Sequence, residues 1–594
     1  MKRRRHTNPH EPELTIETLS MEGNLLFPEW LSKIAQRQAD KQTDADYRIP
    51  QGQRLHHEID RCWHIAQTLW TTFSADPKKN TITKAELFVS ALLRSAFGFE
   101  SLAPVKPASL KNGLFSISYA AVDGRVPIVV APAPSGLDTL LDAFGDANRK
   151  PCAYGLLQEY LHARNDALWG IASDGARLRI VRHDEGLTRP AWIEADLRRI
   201  FVEKREADFA ALWLLCHETR FGPPNRPVAE GILEKWCEAG KQQRLQAREQ
   251  LRRGAQQALI ALGQGFLSHP RNEDLRAALQ NGTLSEKSYF NQLLRLVYRF
   301  IFLFTAEERG LLHPEKTPEP IKTLYENSYG MGRLRELARK RGAVDHVSDL
   351  WATTLAVCRG LAQGEPRLGL PALAGIFATN QCPDLDRASL DNHALLAAVF
   401  HLAWRKDDDR LYRIDWHLID SEQLGSVYES LLELVAQTLP QPPYFSFVTD
   451  DDTQGNTRKT TGSYYTPDTL VRVLLDHALE PAIARTIADH PSQPTEALLR
   501  LTICDPACGS GHFLLAAAHR LASHAARRKA NGTASPAQYQ SALRHVIRQC
   551  LFGVDLNPMA VELCKIGLWL ETAEPGLPLT FLDSHIQHSW YSTS

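Results

Sequence analysis

Several features that would place this 594-residue chain in a specialised class are missing. Its 68 Lys and Arg almost balance its 69 Asp and Glu, so no overall attraction to DNA is indicated and any basic surface must be local. Ten scattered cysteines form no CxxC pair, and Cys504 and Cys508 lack a second pair to complete a zinc site. No metal site is predicted, and a reducing cytoplasm is expected. No apolar segment follows the basic start Lys2–Arg5, so no secretory signal is predicted.

Long hydrophobic runs are also scarce. One apolar stretch, Leu293–Phe304, is interrupted by Arg295 and Arg299 and is too short to span a bilayer. It predicts a buried helix, and no membrane partner is expected. The chain length instead allows three or four domains with sizeable cores.

The most informative segment of the chain is the one that ends at Phe513. A short apolar run, Leu501–Cys504, ends in Asp505 and is followed by a loop with two glycines and a helix-like stretch. A strand, a glycine-rich turn and a helix N-terminus suit a nucleotide-like ligand, because glycine lets the backbone approach the ligand closely. No Lys follows the glycines, which excludes a P-loop, and their spacing is not that of the dinucleotide fingerprint.

Two flanking segments sharpen this interpretation. Gly462–Pro467 reads GSYYTP and precedes the loop, whereas Leu551–Pro558 reads LFGVDLNP and follows it. YYTP, DPACGSG and GVDLNP in this order resemble the amino-group DNA methyltransferases that make N6-methyladenine. The likeness is greatest to type IIG restriction-modification methylases and to BREX- and DISARM-like phage-defence methylases. Further similar pieces are Leu168–Gly170, Ala306–Leu312 and Leu424–Glu429.

The resemblance implies S-adenosylmethionine (SAM) as cofactor and double-stranded DNA as partner. Asp505 and the loop after it would hold the methionine and ribose end of SAM, and Asp555 would accept hydrogen bonds from ribose hydroxyls. Asn557 and Pro558 would edge the adenine ring. Phe513 would pack against SAM, although a buried helix residue is an equal alternative. The complete set of expected cofactor residues is Tyr465, Thr466, Pro467, Asp505, Pro506, Ala507, Cys508, Gly509, Gly511, Phe513, Asp555, Asn557 and Pro558.

No catalytic residue is assigned, because the family's Asn/Asp/Ser-Pro-Pro-aromatic segment does not occur after Asp555. Gln441–Tyr444 reads QPPY, but it precedes the loop, follows no clear strand and has Gln at the first position, so a proline-rich linker is the preferred interpretation. We therefore expect the chain to be the N-terminal part of a methyltransferase that a second polypeptide completes. The alternative is a truncated, non-catalytic remnant or a DNA- or partner-binding defence subunit; an ordinary type I modification subunit is a weaker third possibility.

The predicted fold class is multidomain α/β. The resemblance implies a degenerate nuclease-like α/β domain in residues 1–222 and an incomplete Rossmann-like methyltransferase domain in residues 462–594. Between them, residues 228–436 are expected to form a helical connector and residues 437–461 a linker. The only acid-x-Lys motif, Asp76–Lys78, lies in a polar, proline-containing stretch rather than a strand, so nuclease activity is not expected.

The sequence pattern also predicts individual elements. Helices are expected at Lys84–Phe99, Leu233–Leu262, Leu470–Leu479 and Phe513–Leu521, and strands at Val126–Val130, Leu501–Cys504, Leu551–Val554 and Leu579–Leu582. Asp174–Gly175 predicts a hairpin turn between Leu168–Ile171 and Leu178–Val181. Arg527–Gln540 is expected to be a polar loop. The basic residues of the long helix could face DNA phosphates, but a solvated face with paired charges is the preferred alternative.

Overall fold

The chain is described by a computed structural model with two compact units. The first contains the described residues of Met1–Arg244 and Ser523–Tyr539, and the second those of Leu245–Ala522 and Gln540–Ser594. The described residues are 16–23, 25–26, 28–75, 82–106, 108–110, 113–133, 136–141, 144, 151–164, 166–183, 191–222, 230–340, 347–407, 410–417, 419, 421–432, 434–440, 443–447, 466–530, 534–572 and 574–589. The predicted Asp76–Lys78 motif lies outside them, as do Tyr464 and Tyr465 of the YYTP segment.

The described part of the first unit contains nine strands and six helices that lie wholly within it. The strands are β1 (Leu19–Glu22), β2 (Ala103–Pro104), β3 (Ala108–Leu110), β4 (Gly113–Phe115), β5 (Tyr119–Ala121), β6 (Val126–Val130), β7 (Trp169–Ser173), β8 (Arg177–Arg182) and β9 (Trp192–Asp196). The helices are α1 (Pro28–Ala35), α2 (Leu55–Ser74), α3 (Ile82–Ser95), α4 (Ala153–His162), α5 (Leu197–Val202) and α6 (Glu206–Cys216), with 3-10 turns at Ala45–Tyr47 and Glu218–Phe221.

Seven of these strands form one sheet in the order β1-β9-β8-β7-β6-β5-β2. Only β6 and β7 run parallel, and the chain between them includes α4. Ile128 and Val130 point into one buried cluster and Val129 into another, so alternation along β6 gives the sheet an apolar core on each face. The predicted hairpin is confirmed, with β7 and β8 antiparallel around Asp174–Gly175. The nuclease-like assignment stays a prediction; no group of three or more metal-ligating side chains occurs in the part of the chain that the structure describes.

The C-terminal end of α6 places a histidine among protein side chains. His217 packs against Trp213, and its Nδ1 lies 2.9 Å from Thr219 Oγ1. Burial, helped by the positive charges of Arg220 and Arg48, lowers the pKa of His217 to about 3. The ring is therefore neutral in the folded chain at neutral pH.

His217 should make the first unit sensitive to acid. Below the ordinary histidine pKa of about 6.5, His217 is protonated in the unfolded chain but stays neutral in the folded chain. The free energy of unfolding therefore falls as pH decreases. Between pH 6.5 and 5 the expected loss is about 2 kcal/mol. The melting temperature of the His217→Asn variant, which keeps an acceptor near Nδ1, should fall less over this range than that of the wild type. His57→Asn, at an exposed position, is the control; parallel curves for wild type and His217→Asn would contradict the prediction.

The second unit is mainly helical and contains a small parallel sheet. Its helices are α7 (Ile232–Ser268, which begins in the first unit), α8 (Glu273–Gln280), α9 (Glu286–Glu308), α10 (Glu319–Ser328), α11 (Met331–Arg339), α12 (Asp349–Gln363), α13 (Asn392–Ala403), α14 (Ser421–Leu432), α15 (Asp468–Leu474), α16 (Glu480–Asp489), α17 (Pro494–Leu498), α18 (His512–Lys529), α19 (Pro536–Gln549) and α20 (Pro558–Thr572). The strands are β10 (Trp404–Asp407), β11 (Arg410–Arg413), β12 (Ala436–Pro440), β13 (Pro443–Phe447), β14 (Ile503–Asp505), β15 (Leu551–Asp555) and β16 (Ile586–His588). Shorter turns lie at Pro366–Leu368, Gly375–Phe377, Leu475–Leu479 and Leu579–Leu582.

Helix α9 lies in the core of the second unit. Every residue of Leu293–Phe304 except Arg295 is buried, as predicted, and Trp569 of α20 packs against Phe302. Side chains of α20 belong to the same buried cluster as those of α9, so the helical region and the segment around the small sheet share one core. No helix among the described residues is long and apolar enough to cross a membrane.

Helix α7 confirms the predicted long helix and extends it to Ser268. On its outer face, Arg252 and Arg253 both pair with Glu249, at 2.7 and 3.2 Å. These pairs agree with the preferred alternative, a solvated face with internally balanced charges.

The structure differs from the expected linker at Ala436–Pro440 and Pro443–Phe447, which are strands. Strands β12 and β13 pair as a hairpin, so the QPPY segment does follow a strand, contrary to our expectation. The hairpin is held to the helices because Thr438 Oγ1 donates to Glu286 Oε1 over 2.6 Å and Phe445 packs near Gly263. It is separate from the parallel sheet, which keeps QPPY out of the position of a catalytic segment.

Two further predictions near the chain's end are wrong. Leu579–Leu582 is a 3-10 turn rather than a strand: Leu579 and Leu582, three residues apart, are both buried on one side of it, and the third strand is β16. The expected loop Arg527–Gln540 is helical at both of its described ends, because α18 continues to Lys529 and α19 begins at Pro536. Pro536 is the first residue of α19, a position that proline suits. The loop was expected because the segment is polar.

Candidate functional site

The site is built at the carboxyl ends of β14 and β15, which are parallel neighbours. Asp505 ends β14, and a loop leads from it to α18. The backbone of this loop is fastened at both ends: Cys508 N–H donates to Val554 O over 3.0 Å, and Leu515 N–H donates to Gly511 O over 2.8 Å. This is the strand, loop and helix order that the sequence predicts.

Both glycines of the loop adopt positive φ, +53° at Gly509 and +91° at Gly511. A Cβ atom on Gly511 would lie 2.7 Å from the Sγ atom of Cys564 in α20, closer than such atoms approach in proteins. Glycine is therefore required at Gly511 by conformation and by space.

The two acidic residues shape the loop with different atoms. Asp505 Oδ1 accepts a hydrogen bond from Ala507 N–H at 3.0 Å. Asp555 Oδ2 accepts from Gly509 N–H at 2.9 Å, and its Oδ1 accepts from Asn557 N–H at 2.7 Å. Asp555 therefore holds the glycine loop closed, in addition to any hydrogen bonds that its remaining lone pairs accept from a ligand.

Asp505 Oδ2 is buried and has no hydrogen-bond partner among the described residues. Burial raises the pKa of Asp505, and the neighbouring charge of Asp555 raises it further. A buried carboxylate oxygen without a donor is costly, so this atom is the one where a donor from a ligand would gain most.

The turn after Asp555 caps helix α20. Asn557 Oδ1 accepts from Met559 N–H at 2.9 Å, and Pro558 is the first residue of the helix. Between the two polar residues, Leu556 is 68% exposed, and its carbonyl oxygen lies 2.9 Å from His588 Nε2. Leu556 and His588 were not identified from the sequence; an apolar residue inside the polar turn DLNP was the only available signal.

The remaining predicted residues are less closely connected. Pro506 and Ala507 are exposed in the loop, and Phe513 is partly buried on α18. Pro467 precedes α15, and its carbonyl accepts from Leu470 N–H at 2.9 Å. Within the described residues, no hydrogen bond joins Thr466 or Pro467 to the glycine loop, and Tyr465 is outside those residues.

Cys508 and Cys564 lie beneath the loop. The thiol of Cys508 forms a hydrogen bond with that of Cys564, and this contact, together with burial, raises the pKa of Cys564 well above its ordinary value. Both cysteines are buried, whereas Cys504 on β14 is exposed, and all ten cysteines of the chain are free thiols. Cys508 therefore faces the protein interior, on the buried side of the loop.

Comparison with known proteins bears on the same region. Residues 451–585 match the family model described as N-6 DNA Methylase. A Methanocaldococcus jannaschii protein, named as a type II restriction enzyme and methyltransferase (RM.MjaORFECS2P), is 25% identical over 240 residues, which cover 34% of this chain and 18% of that protein. The Streptomyces coelicolor adenine-specific methyltransferase PglX is 28% identical over 133 residues, covering 22% of this chain and 10% of PglX. The chain therefore aligns with less than a fifth of either relative's length.

Two solved structures were also matched. The type IIL restriction-modification enzyme MmeI in complex with DNA has a TM-score of 0.31 and 15% identity, covering 56% of this chain and 38% of MmeI. The DrdV–DNA complex has a TM-score of 0.22 and 13% identity, covering 86% of this chain and 38% of DrdV. Scores this low support no argument about the fold.

The family match covers the segment that contains the fastened glycine loop, Asp505 and Asp555. It confirms the resemblance carried by the DPACGSG and GVDLNP motifs. Residues 451–585 of this chain are therefore similar in sequence to the N-6 DNA methylase family.

Proposed function

We propose that the chain carries the SAM-binding part of a cytoplasmic enzyme that methylates the N6 atom of adenine at specific DNA sites, in a restriction-modification or phage-defence system. The family match supports this activity, and the names of the two aligned relatives point the same way. The observation that carries the cofactor assignment is the buried, unpartnered Oδ2 atom of Asp505 beside a loop with two positive-φ glycines.

The residues at the ends of β14 and β15 fit SAM. Asp505 Oδ2 would accept a hydrogen bond from the methionine or ribose end, and Asp555 would accept from ribose hydroxyls. Asn557 and Pro558 would edge the adenine ring, and Tyr465, Thr466 and Pro467 would close over the methionine end. When bound, SAM supplies an activated methyl group. The protein's part in the transfer is to hold that group fixed while the target adenine, turned out of the duplex, approaches it.

We further propose that another polypeptide segment completes the methyltransferase sheet. Strand β14 is at one edge of its three-stranded sheet, and Cys504 on it is exposed. Parallel sheets are normally covered and extended on both sides, and an open strand edge pairs readily with another strand. Nearby in sequence, helix α15 exposes Leu470, Val473 and Leu474 by half or more. A second polypeptide that supplies the remaining strands, the Pro-Pro-aromatic segment and the target-recognition region would cover such surfaces.

Calorimetric titration of SAM into the full chain tests the cofactor assignment. Saturable binding is expected, and Asp505→Asn should weaken it at least tenfold, about 1.4 kcal/mol. The amide keeps an oxygen for Ala507 N–H but places a donor where Oδ2 accepts, so the loop persists while the contact with the ligand is lost. Asp489→Asn, which makes the same charge change at an exposed position, should bind like wild type.

The outcome also separates the two functional classes. Binding that is weakened by Asp505→Asn and unaffected by Asp489→Asn supports a methyltransferase subunit. A folded chain that does not bind SAM would overturn the proposal and favour the alternative, a non-catalytic remnant or a DNA- or partner-binding defence subunit.

A further inference from the structure

Helix α14 touches the glycine loop although it lies far before the loop in the chain. A Cβ atom on Gly425 would lie 2.9 Å from Ser510 Oγ and 3.3 Å from Ser510 Cβ. Ser510 is buried, and it separates the two positive-φ glycines, Gly509 and Gly511. The backbone of α14 thus packs against the middle of the loop, and a side chain at Gly425 would force Ser510 to shift.

A buried polar cluster joins the same helix to both helices that leave the site. Ser421 Oγ donates to Glu571 Oε1 over 2.7 Å, and His519 Nε2 lies 3.3 Å from Glu571 Oε2. His519 belongs to α18, which follows the glycine loop, and Glu571 belongs to α20, which follows the Asp555 turn. Ser421, His519 and Glu571 are all nearly inaccessible to solvent. Glu571 therefore ties the two loop-bearing helices to α14.

We propose that α14 is a positioning element of the cofactor site, with Gly425 and Ser421 as positioning residues. The inference rests on the proposed SAM-binding function and adds residues that lie outside the loop and its flanking turns. A glycine-rich loop has many accessible conformations. Ordering it on binding reduces the affinity for the ligand, unless the protein already holds the loop in the bound conformation. Contact with Gly425 fixes Ser510, and the Ser421–Glu571 hydrogen bond fixes the distance between α14 and α20.

The test is SAM affinity, measured by calorimetry, in Gly425→Ala, Ser510→Ala and the double variant. Gly425→Ala should raise Kd at least tenfold, because the new methyl group displaces Ser510. The double variant should recover most of the affinity, since removing Ser510 Oγ frees the space that the methyl group needs. Alanine is a better helix former than glycine, so the melting temperature should not fall as SAM affinity does.

Gly332→Ala provides the matched control. Gly332 is also helical, but a Cβ atom there would be 3.8 Å from its nearest neighbour, so the Kd for SAM should not change. Ser421→Ala adds a variant without steric demand and should raise Kd about threefold through loss of one hydrogen bond.

The outcomes distinguish this inference from the proposed function. Wild-type binding with unchanged Kd in both Gly425→Ala and Ser421→Ala would overturn the positioning role and leave SAM binding intact. Weak binding in Gly425→Ala that the double variant does not improve would also overturn it, because the contact with Ser510 would not be the cause. Failure of the wild type to bind SAM would overturn the proposed function, and this inference with it. If Gly425→Ala does not fold, the Ser421→Ala titration decides alone.

Discussion

Replacing Gly511 with alanine is expected to raise the Kd for SAM at least about thirtyfold, equivalent to about 2 kcal/mol. Two costs combine at this position. An L-residue at φ of +91° is strained by about 1–2 kcal/mol, and the added methyl group would lie 2.7 Å from Cys564 Sγ. Cys564 is fully buried on α20 and its thiol is hydrogen-bonded to that of Cys508, so turning the sulfur away would disturb the packing and break this bond.

The loop can move away from Cys564 more easily than the core of the unit can rearrange. Because Gly511 N–H donates to Cys508 O and Gly511 O accepts from Leu515 N–H, moving Gly511 shifts both the loop and the start of α18. We therefore expect the variant to keep its fold and to lose the proposed SAM site. Calorimetric titration of SAM measures the loss, and thermal unfolding checks the fold.

Gly282→Ala separates conformational strain from steric overlap. Gly282 has φ of +74°, but nothing lies within 4 Å of its hypothetical Cβ atom. That variant should lose about 1–2 kcal/mol of stability and bind SAM like wild type. If Gly511→Ala also binds like wild type, the loop geometry described for the site is not the one that receives the cofactor.

The glycine loop was predictable because its determinants are local. An apolar run that ends in Asp505, two glycines and a helix are consecutive in the sequence, and the structure places them as β14, the loop and α18. The role of Asp555 was only partly predictable. The sequence indicates an acid at the end of a strand, but not that its carboxylate binds Gly509 N–H of a preceding loop, since that contact depends on how β14 and β15 pair.

Contacts between distant segments explain most of what the sequence did not reveal. The LGSVYE segment was noticed as a similar piece, yet nothing local indicates that Gly425 leaves room for Ser510. The hairpin of β12 and β13 was taken for a linker because prolines and polar residues dominate it; its order comes from packing of Phe445 against α7 and α9. Local composition gave the wrong answer where tertiary contacts stabilise an otherwise unfavourable segment.

Arg299 is a second case in which the pattern located a residue without indicating its partners. The sequence shows two arginines in an apolar helix, and the structure shows that Arg299 is completely buried. Its Nε donates to Ile376 O over 2.8 Å, and its Nη1 pairs with Asp386 Oδ1 at 2.9 Å. The segment that carries Ile376 and Asp386 is thereby held against α9 by one guanidinium.

Arg299→Met is therefore expected to lower the free energy of unfolding of the second unit by about 3 kcal/mol. Removal of one partner of a buried pair leaves the other charge uncompensated, which costs about 3–5 kcal/mol, and the partial exposure of Asp386 favours the lower end. Urea denaturation of the full chain measures the change. In the Arg299→Met background, Asp386→Asn should recover about 1 kcal/mol, because the unpaired carboxylate is then gone.

Arg367→Met is the matched control for this experiment. Arg367 makes two hydrogen bonds to Glu365, at 2.9 and 3.0 Å, but its side chain is 87% exposed. Exposed ion pairs of this kind contribute little to stability, so little change is expected. Equal losses of unfolding free energy in the two variants would show that the burial of Arg299 does not increase the contribution of its ion pair to stability. A loss in Arg299→Met that Asp386→Asn makes worse would show that Asp386 has another partner and that the ion pair is not what holds the segment.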